Sequence, residues 1–157
     1  MKNSKLVIGL MSGTSLDGVD AALVEISGFG SQTIVNFKHF TSNPFPDEIR
    51  KILLKVSSGQ PVSSGIISNL NVLLGQLFSQ AVLKLCSECQ LPVNQIDLIG
   101  SHGQTIFHQS EPRKLWGHTV SSSLQIGEAA ILVEQTGVTV VSDFRPSDLA
   151  AGGTGAP

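Results

Sequence analysis

The order in which hydrophobic periodicity changes along the chain limits the folds open to it. Three short apolar stretches, at residues 6–10, 19–26 and 33–41, are typical of β-strands, and the short polar connection between the first two predicts a hairpin. Two helical patterns follow. The first begins at Pro46, and the second has apolar residues three and four apart from Ile67 to Leu85. The first half therefore predicts an antiparallel three-strand meander followed by two helices.

The second half returns to short apolar segments. The stretch "QIDLIGSHG" predicts a buried strand that enters a turn at Gly100–Gly103, and residues 112–119 predict a loop. A short strand at 122–126 precedes a helix over Gly127–Thr136, which Gly137 closes. The segment "VTVVSDF" predicts a final strand. Strands alternating with helices in this way indicate an α/β domain.

Composition excludes several classes of protein. The chain has 157 residues, which favours one domain, and a formal net charge of −2, which gives no basic surface for nucleic acid. No apolar stretch approaches the roughly 18 residues needed to span a bilayer, and the first residues lack a signal-peptide pattern. A cytoplasmic protein that does not bind membranes is expected. The glycine-rich end "AAGGTGAP" directly after a strand predicts a truncated domain.

Cys86 and Cys89 form a C-x-x-C motif, which occurs in redox proteins and in zinc sites. Zinc sites of this kind need a second cysteine pair, which the chain lacks. The motif also falls late in a helical pattern. We therefore predict two structural helix residues.

The first polar cluster is "GLMSGTSLDGVD", which follows the first strand. Its glycines allow tight turns in which successive backbone N–H groups can surround an anion, and Ser12, Thr14 and Ser15 add hydroxyl donors. Asp17 and Asp20 would repel a polyphosphate unless a divalent cation such as Mg²⁺ lay between them. A hairpin turn without a ligand has the same composition, and the cluster alone leaves both interpretations open.

Two further clusters also follow apolar segments, where open α/β sheets bind ligands. In "GSHGQTIFH", Ser101, His102, Gln104 and Thr105 offer neutral donors and acceptors. His102 and His108 lack the further ligands that a metal site needs, so a neutral hydrogen-bonding role is predicted. The third cluster contains "QIGEAA" and "SDFRPSDLAAGGTGAP", in which Asp143, Arg145 and Asp148 lie close together. Arg145 suits a carboxylate ligand, although a surface Asp–Arg pair is the alternative.

Taken together, these clusters resemble the N-terminal part of the anhydro-N-acetylmuramic acid kinase family. The resemblance is carried by "GLMSGTSLDGVD", "GSHGQTIFH", "LQIGEAAILVEQTGVTVV" and "SDFRPSDLAAGGTGAP", which span Gly9 to Pro157. It implies an actin-like sugar-kinase fold, related to ribonuclease H, with a mixed sheet flanked by helices. Two lobes would enclose ATP, and residues 1–157 would form only the N-terminal lobe, without the C-terminal lobe.

The resemblance also implies roles for particular residues. The phosphates of ATP would contact a loop of eight residues, namely Gly13, Thr14, Ser15, Leu16, Asp17, Gly18, Val19 and Asp20. The wider superfamily usually has an aspartate where this chain has Met11. Magnesium would therefore fall to Asp17 or Asp20. The expected sugar-binding residues are Ser101, His102, Gln104, Thr105, Gln125, Asp143, Arg145 and Asp148.

The implied reaction is ATP-dependent opening and phosphorylation of 1,6-anhydro-N-acetylmuramic acid, giving N-acetylmuramic acid 6-phosphate and ADP. Such enzymes recycle peptidoglycan sugars. The catalytic aspartate of the family is expected beyond Pro157, so this chain alone is predicted to be inactive. The expected partners are an amino sugar and ATP, and a homodimer is compatible with the resemblance. Two alternatives are a non-catalytic module that binds an amino sugar or nucleotide, and a kinase of the same fold for another sugar.

Overall fold

The computed structural model describes residues 4–156, which form six strands and four α-helices. In chain order these are β1 (Ser4–Ser12), β2 (Gly18–Ser27), β3 (Ile34–Pro44), α1 (Asp47–Ser57), α2 (Ser64–Glu88), β4 (Leu98–Leu115), β5 (His118–Ile126), α3 (Ala129–Thr136), β6 (Val140–Val141) and α4 (Phe144–Ala150). Short 3₁₀ turns occupy Gly30–Gln32 and Val93–Gln95.

All six strands belong to one mixed sheet with the order β3-β2-β1-β4-β5, and β6 also pairs with β4. The pairs β1–β2, β2–β3 and β4–β5 are antiparallel, whereas β1 and β6 both run parallel to β4. The predicted hairpin, the three-strand meander and the mixed sheet flanked by helices are confirmed.

Helix α2 supplies much of the core. Ser63 caps its start by accepting a hydrogen bond from the Ile66 amide. Its buried face includes Leu70, Leu74, Phe78 and Val82, which pack in the same cluster as the strand side chains. By length and composition alone α2 could cross a membrane. Because this face is buried in the domain core, the helix has the character of a core helix of a globular domain.

Two predicted interruptions of the sheet are wrong. No turn forms at Gly100–Gly103, because Gly100 pairs with both Gly9 and Val141 and β4 continues past it. Residues 112–119 are not a loop, since β4 and β5 continue to a two-residue turn at Trp116 and Gly117, both with positive φ. Such a turn matches the twist of a hairpin, but tryptophan is an unusual residue for it.

The end of the described chain also differs from the prediction. The last strand is only Val140–Val141, and "FRPSDLA" forms α4 instead of a continuation of that strand. Pro146 is tolerated because it lies in the first turn of α4, where a backbone N–H has no helical partner.

The C-x-x-C motif lies at the end of α2, as predicted. Cys86 is in the last turn, Cys89 is the C-cap residue, and both are free thiols. Burial raises the pKa of the Cys86 thiol above its usual value, and the nearby Cys89 raises it further. Burial also raises the pKa of Cys89, to which Glu88 adds. Raised pKa values disfavour the reactive thiolate, which agrees with a structural role.

Candidate functional site

The sheet brings the three polar clusters together at the carboxyl ends of β1 and β6. Since β1 and β6 both run parallel to β4, their carboxyl ends point the same way. Ser12, at the end of β1, lies beside Gln104, and Val141, at the end of β6, lies beside Gly100. Chain segments that leave these strand ends therefore surround the middle of β4, which is the position where α/β sheets bind ligands.

The β1–β2 turn, residues 13–17, is a compact loop with unused donors. The Leu16 amide donates to the Gly13 carbonyl at 3.2 Å, and Leu16 has a φ of 56° with its side chain buried in the core. Within residues 4–156, neither Thr14 nor Ser15 forms a hydrogen bond through its amide or its hydroxyl. These exposed donors could hold an anion without disturbing the turn.

A buried hydrogen-bond network fixes this turn to β4. Ser12 Oγ lies 2.6 Å from Gln104 Oε1 and 2.7 Å from the Gly18 carbonyl oxygen, so its one proton is available to either acceptor. Gln104 Nε2 donates to the carbonyls of Gly13, at 3.3 Å, and Thr105, at 3.1 Å. The side chain of Gln104 is wholly buried and its amide is fully engaged. In this structure Gln104 holds the β1–β2 turn against β4.

A β-bulge gives Gln104 this orientation. Ser101 pairs with Leu10 and Gln104 with Ser12, so two residues of β4 lie opposite Met11 alone. The bulge includes Gly103, whose φ of 73° favours glycine. The extra residue shifts the alternation of buried and exposed side chains along β4. The buried positions are Ile99 and Ser101 before the bulge, and Gln104 and Ile106 after it.

The two aspartates of the first cluster differ in their surroundings. Asp17 Oδ1 forms an ion pair of 3.1 Å with Arg50 Nη2 of α1. Asp20 is exposed and lies directly across the β1–β2 ladder from Met11. Directly opposed residues of an antiparallel pair project from the same face of a sheet. No three or more His, Cys, Asp or Glu residues come close enough to form a metal site within the described chain.

The last three residues of the predicted phosphate loop are not loop residues, because they begin β2, and the first two of them contribute to the fold. Val19 is buried in the core, and Gly18 lies so close to β3 that a Cβ atom would be 2.2 Å from the Asn43 carbonyl oxygen. Glycine at position 18 is therefore required by the approach of β3.

A polar pocket of about 170 Å³ lies between β4, β5, α2 and the start of α3. It is lined by Asn71, Ser101, His102, Gly103, Gln125, Ile126, Gly127, Glu128, Ala129, Ser142 and Asp143. Ser101 Oγ and Gln125 Oε1 are buried and have no hydrogen-bond partner in the described part of the chain. Because an unpaired buried polar atom is costly, these two atoms indicate that a ligand or water completes the pocket.

Asn71 and Glu128 join this pocket although neither was predicted as a site residue. Glu128 caps α3 by accepting from the Ala130 amide at 3.2 Å, and its second oxygen accepts from Asn71 Nδ2 at 2.9 Å. Asn71 Oδ1 in turn accepts from the Gly127 amide at 2.8 Å. An asparagine four residues before a glycine within an apolar helix was the available signal, because both break the apolar pattern on one helix face.

His102 and Arg145 are in direct contact. Arg145 Nε donates to His102 Nε2 at 2.9 Å, and His102 Nδ1 lies 3.0 Å from the Gly103 carbonyl oxygen. Since arginine can only donate, Nε2 carries the lone pair and Nδ1 the proton. None of the ion pairs among the described residues joins Arg145 to Asp143 or Asp148, so the alternative of a local Asp–Arg pair is not seen.

A larger cleft also contacts His102. This Arg145 cleft has a volume of about 720 Å³ and is lined by Met11, His102, Phe144, Arg145, Asp148 and residues 153–156. Asp148 holds the glycine-rich segment in place, because its Oδ2 accepts from the Gly155 amide at 2.8 Å and its carbonyl from the Gly153 amide at 2.9 Å. His102 therefore lines both a small polar pocket and a larger, mostly apolar cleft that contains the Arg145 guanidinium group.

A third concavity faces the β1–β2 turn. This turn groove, of about 510 Å³, is lined by Thr14, Leu16, residues 57–59 and residues 105–108. Nine of the sixteen predicted site residues line these three cavities, whereas Gln104 and most of the predicted phosphate loop do not. Ser101, His102, Gln125 and Asp143 line the polar pocket. His102, Arg145 and Asp148 line the Arg145 cleft, and Thr14, Leu16 and Thr105 line the turn groove.

Comparison with known proteins assigns the chain to one family. The sequence profile described as anhydro-N-acetylmuramic acid kinase matches residues 5–157. A protein of that name from Bacillus cereus (strain ATCC 10987 / NRS 248) is 48% identical over 151 residues, covering 96% of this chain and 39% of its own length. Another, from Caldanaerobacter subterraneus subsp. tengcongensis, is 47% identical over 156 residues, covering 99% of this chain and 39% of its own length. The chain spans about two fifths of the length of these relatives.

Proposed function

The chain belongs to the anhydro-N-acetylmuramic acid kinase family, and from that premise we propose that it is the N-terminal lobe of an ATP-dependent kinase for 1,6-anhydro-N-acetylmuramic acid. The observation that carries the proposal is the convergence of three polar clusters at the carboxyl ends of β1 and β6, around the middle of β4. Phosphoryl transfer depends mainly on such positioned donors, with little covalent chemistry by the protein.

In the proposed reaction, water attacks the anomeric carbon of the sugar and gives its proton to an enzyme aspartate. The bond between that carbon and O6 breaks, which opens the anhydro bridge. The freed O6 takes the γ-phosphoryl group of ATP, and the bond from the γ-phosphorus to the bridging oxygen breaks to leave ADP. The product is N-acetylmuramic acid 6-phosphate. The aspartate is expected in the part of the family sequence that follows Pro157.

The β1–β2 turn is proposed to hold the phosphates of ATP. Thr14 and Ser15 support this role, since their amides and hydroxyls are exposed and unpaired within the described residues. The buried contacts of Gln104 with Ser12 and with the Gly13 carbonyl would keep the turn in a fixed shape. A preorganised set of donors stabilises charge without reorganising during the reaction.

Magnesium, when bound with ATP, would offset the charge of the phosphates and align them for transfer. Asp20 fits as a residue that holds it. Its carboxylate is exposed and lies across the ladder from Met11, the position at which the superfamily usually has an aspartate. Asp17 is less suited in this structure because it is paired with Arg50.

The sugar is proposed to lie against His102. Arg145 would bind the lactyl carboxylate, because its Nε donates to His102 and its Nη groups form no hydrogen bond within the described residues. Ser101 and Gln125 would contact uncharged groups of the sugar, since each has an unpaired buried oxygen. Two carboxylates, of Glu128 and Asp143, line the same pocket.

A phosphotransfer assay tests this proposal. A protein that extends this chain by the remaining three fifths of a relative's length is incubated with ATP, Mg²⁺ and the anhydrosugar, and the products are analysed by mass spectrometry. We expect equal amounts of ADP and N-acetylmuramic acid 6-phosphate. Phosphorylation of an intact anhydrosugar, or of another sugar in preference to it, would contradict the proposal.

A further inference from the structure

The β1–β2 turn and the start of β2 carry negative charge without a cation of their own. Residues 13–20 include Asp17 and Asp20 and contain no lysine, arginine or histidine. A carboxylate beside a bound polyphosphate would repel it, because like charges at short range interact unfavourably. Among the ion pairs of residues 4–156, a single one reaches this segment, and it joins Asp17 Oδ1 to Arg50 Nη2 at 3.1 Å. Arg50 therefore offsets part of the charge of the turn.

The fold places Arg50 beside the turn through the segment that connects β3 to α1. The Phe45 amide donates to the Asp17 carbonyl at 2.9 Å, and the Phe45 side chain is buried in the core. The Arg50 amide donates to the Pro46 carbonyl at 3.0 Å, a hydrogen bond in the first turn of α1. Leu53, on the same helix, is wholly buried and anchors α1 to the core. Both the backbone and the carboxylate of Asp17 are thus held by this segment.

The contact between Arg50 and Asp17 has little value as a stabilising ion pair. Their side chains are 49% and 65% exposed, and ion pairs this accessible to water contribute little to the free energy of unfolding. The charge of the pair matters instead for an anion bound at the turn. With both residues present the pair has no net charge, whereas an unpaired Asp17 would add a negative charge beside the proposed position of the phosphates.

We propose that Arg50 is a positioning residue of the phosphate site. By pairing with Asp17 it cancels the charge of that carboxylate, so that the exposed amides and hydroxyls of Thr14 and Ser15 can bind an anion. The inference rests on the proposed function of the turn and adds a residue of α1 that the sequence did not assign to the site. On this account the affinity for Mg·ATP follows the net charge of the Arg50–Asp17 pair, and Asp17 is not a ligand of magnesium.

Calorimetry of the 157-residue chain with Mg·ATP at low ionic strength tests the inference. Arg50→Gln leaves the carboxylate unpaired and should weaken binding at least about threefold, whereas Arg50→Lys keeps the charge and should bind nearly as the wild type does. Asp17→Asn frees the guanidinium group and should tighten binding by about twofold or more. The double variant has an uncharged pair and should return to the affinity of the wild type.

Two controls distinguish this effect of charge from a structural one. The differences among the variants should shrink in concentrated salt, because salt screens exposed charges. Lys55→Ala removes a cation from an exposed position on the same helix and should leave the affinity for Mg·ATP unchanged. A loss of affinity that salt does not change would contradict the inference.

The outcomes separate the inference from the proposed function. If the wild type binds no Mg·ATP, the proposed role of the turn fails and the inference fails with it. If the wild type binds but Arg50→Gln binds equally well, or if the double variant stays as weak as Arg50→Gln, the inference is wrong and the proposed function stands. Weaker binding by Asp17→Asn would also overturn the inference, because Asp17 would then contact the ligand or its metal. Melting temperatures identify an unfolded variant, and where Arg50→Gln does not fold, the comparison of Asp17→Asn with the wild type decides.

Discussion

At the scale of single residues, the Ser12–Gln104 contact has the greatest consequence for the site. Sequence reasoning assigned Gln104 to the sugar, since glutamine offers both a donor and an acceptor. The structure engages both ends of its amide, with Ser12 on one side and the carbonyls of Gly13 and Thr105 on the other. That Gln104 also touches substrate stays a prediction, and its observed contacts are those of a residue that positions the β1–β2 turn.

Gln104→Ala tests this positioning role. The change removes the buried partner of the Gly13 carbonyl and leaves Ser12 with the Gly18 carbonyl alone, so we expect a loss of about 1–3 kcal/mol in the free energy of unfolding. It should also weaken binding of Mg·ATP more than binding of the anhydrosugar. Urea denaturation and calorimetry measure the two effects. Gln76→Ala, on the exposed side of α2, is the matched control. A stable variant with normal ATP affinity would refute the positioning role.

Arg145→Ala tests the proposed lactyl contact. Loss of a hydrogen-bonded charge pair of about 1.5–3 kcal/mol corresponds to roughly a 10- to 100-fold rise in KM for the sugar, with little change in KM for ATP. Steady-state kinetics of the longer, active protein provide the measurement. Arg113→Ala, on the exposed β4–β5 hairpin, should change neither constant. Equal effects of Arg145→Ala on both substrates, or no effect on either, would exclude the assignment.

At the scale of secondary-structure elements, the close packing of α2 against α3 builds the polar pocket. Gly75 lies at this contact, where a Cβ atom would be 2.8 Å from the Glu128 carbonyl oxygen and 3.0 Å from Ile131 Cβ. The Glu128 amide also donates to the Asn71 carbonyl at 2.9 Å. The small residue on α2 thus permits the approach that sets Glu128 beside Asn71.

Gly75→Ala should therefore destabilise the protein although alanine is the better helix former. We expect a loss of about 1–3 kcal/mol, because the backbone of α3 must move to accommodate the methyl group. Gly65→Ala, in the first turn of the same helix, meets only Ser63 Oγ at 3.7 Å and should be neutral or stabilising by up to about 1 kcal/mol. Thermal or urea unfolding compares the two. If both substitutions stabilise equally, the α2–α3 contact is not as close as described.

The edge of the meander has a pH-dependent contact. Hydrogen bonds from Lys38 and from Ser4 lower the pKa of the Glu25 carboxyl, and the charge of Lys38 adds to the shift. A carboxyl whose pKa is lower in the folded than in the unfolded state stabilises the protein at pH values above its unfolded-state pKa. That stabilisation is lost as the pH falls through the folded-state pKa. The stability difference between the wild type and Glu25→Gln should thus shrink below about pH 4.5.

Unfolding curves between about pH 3 and pH 7 measure this difference, because that range includes the titration of a glutamate. The contact is exposed, so the difference should be small and should also shrink in concentrated salt. A difference that grows as the pH falls would contradict the assignment.

Local patterns predicted the elements well where side-chain periodicity decides the structure, as in α2 and the first three strands. Local patterns failed where the pairing between strands decides the structure. The glycines of 100–103 have the composition of a turn, yet Gly100 is paired on both sides and Gly103 forms a bulge. The pocket was predicted only in part, since Asn71 is 57 residues from Glu128 and only the packing of α2 on α3 joins them.

At the scale of the whole molecule, the chain carries three adjacent cavities at one edge of a single sheet, and it spans 39% of the length of its relatives. We propose that the β1–β2 turn takes the phosphate end of ATP and that the polar pocket and Arg145 cleft take the sugar. The base that activates water is expected outside this chain. On this account, ligand binding and catalysis are separable.

The most direct test of this account is calorimetry of the 157-residue chain with 1,6-anhydro-N-acetylmuramic acid and with Mg·ATP, followed by an assay for ADP in the same samples. The account predicts that the chain binds the sugar and the nucleotide but releases no ADP above the level without protein. Two results would contradict it. Binding of neither ligand would leave a purely structural module, and sugar-dependent formation of ADP would mean that residues 1–157 already contain the catalytic base.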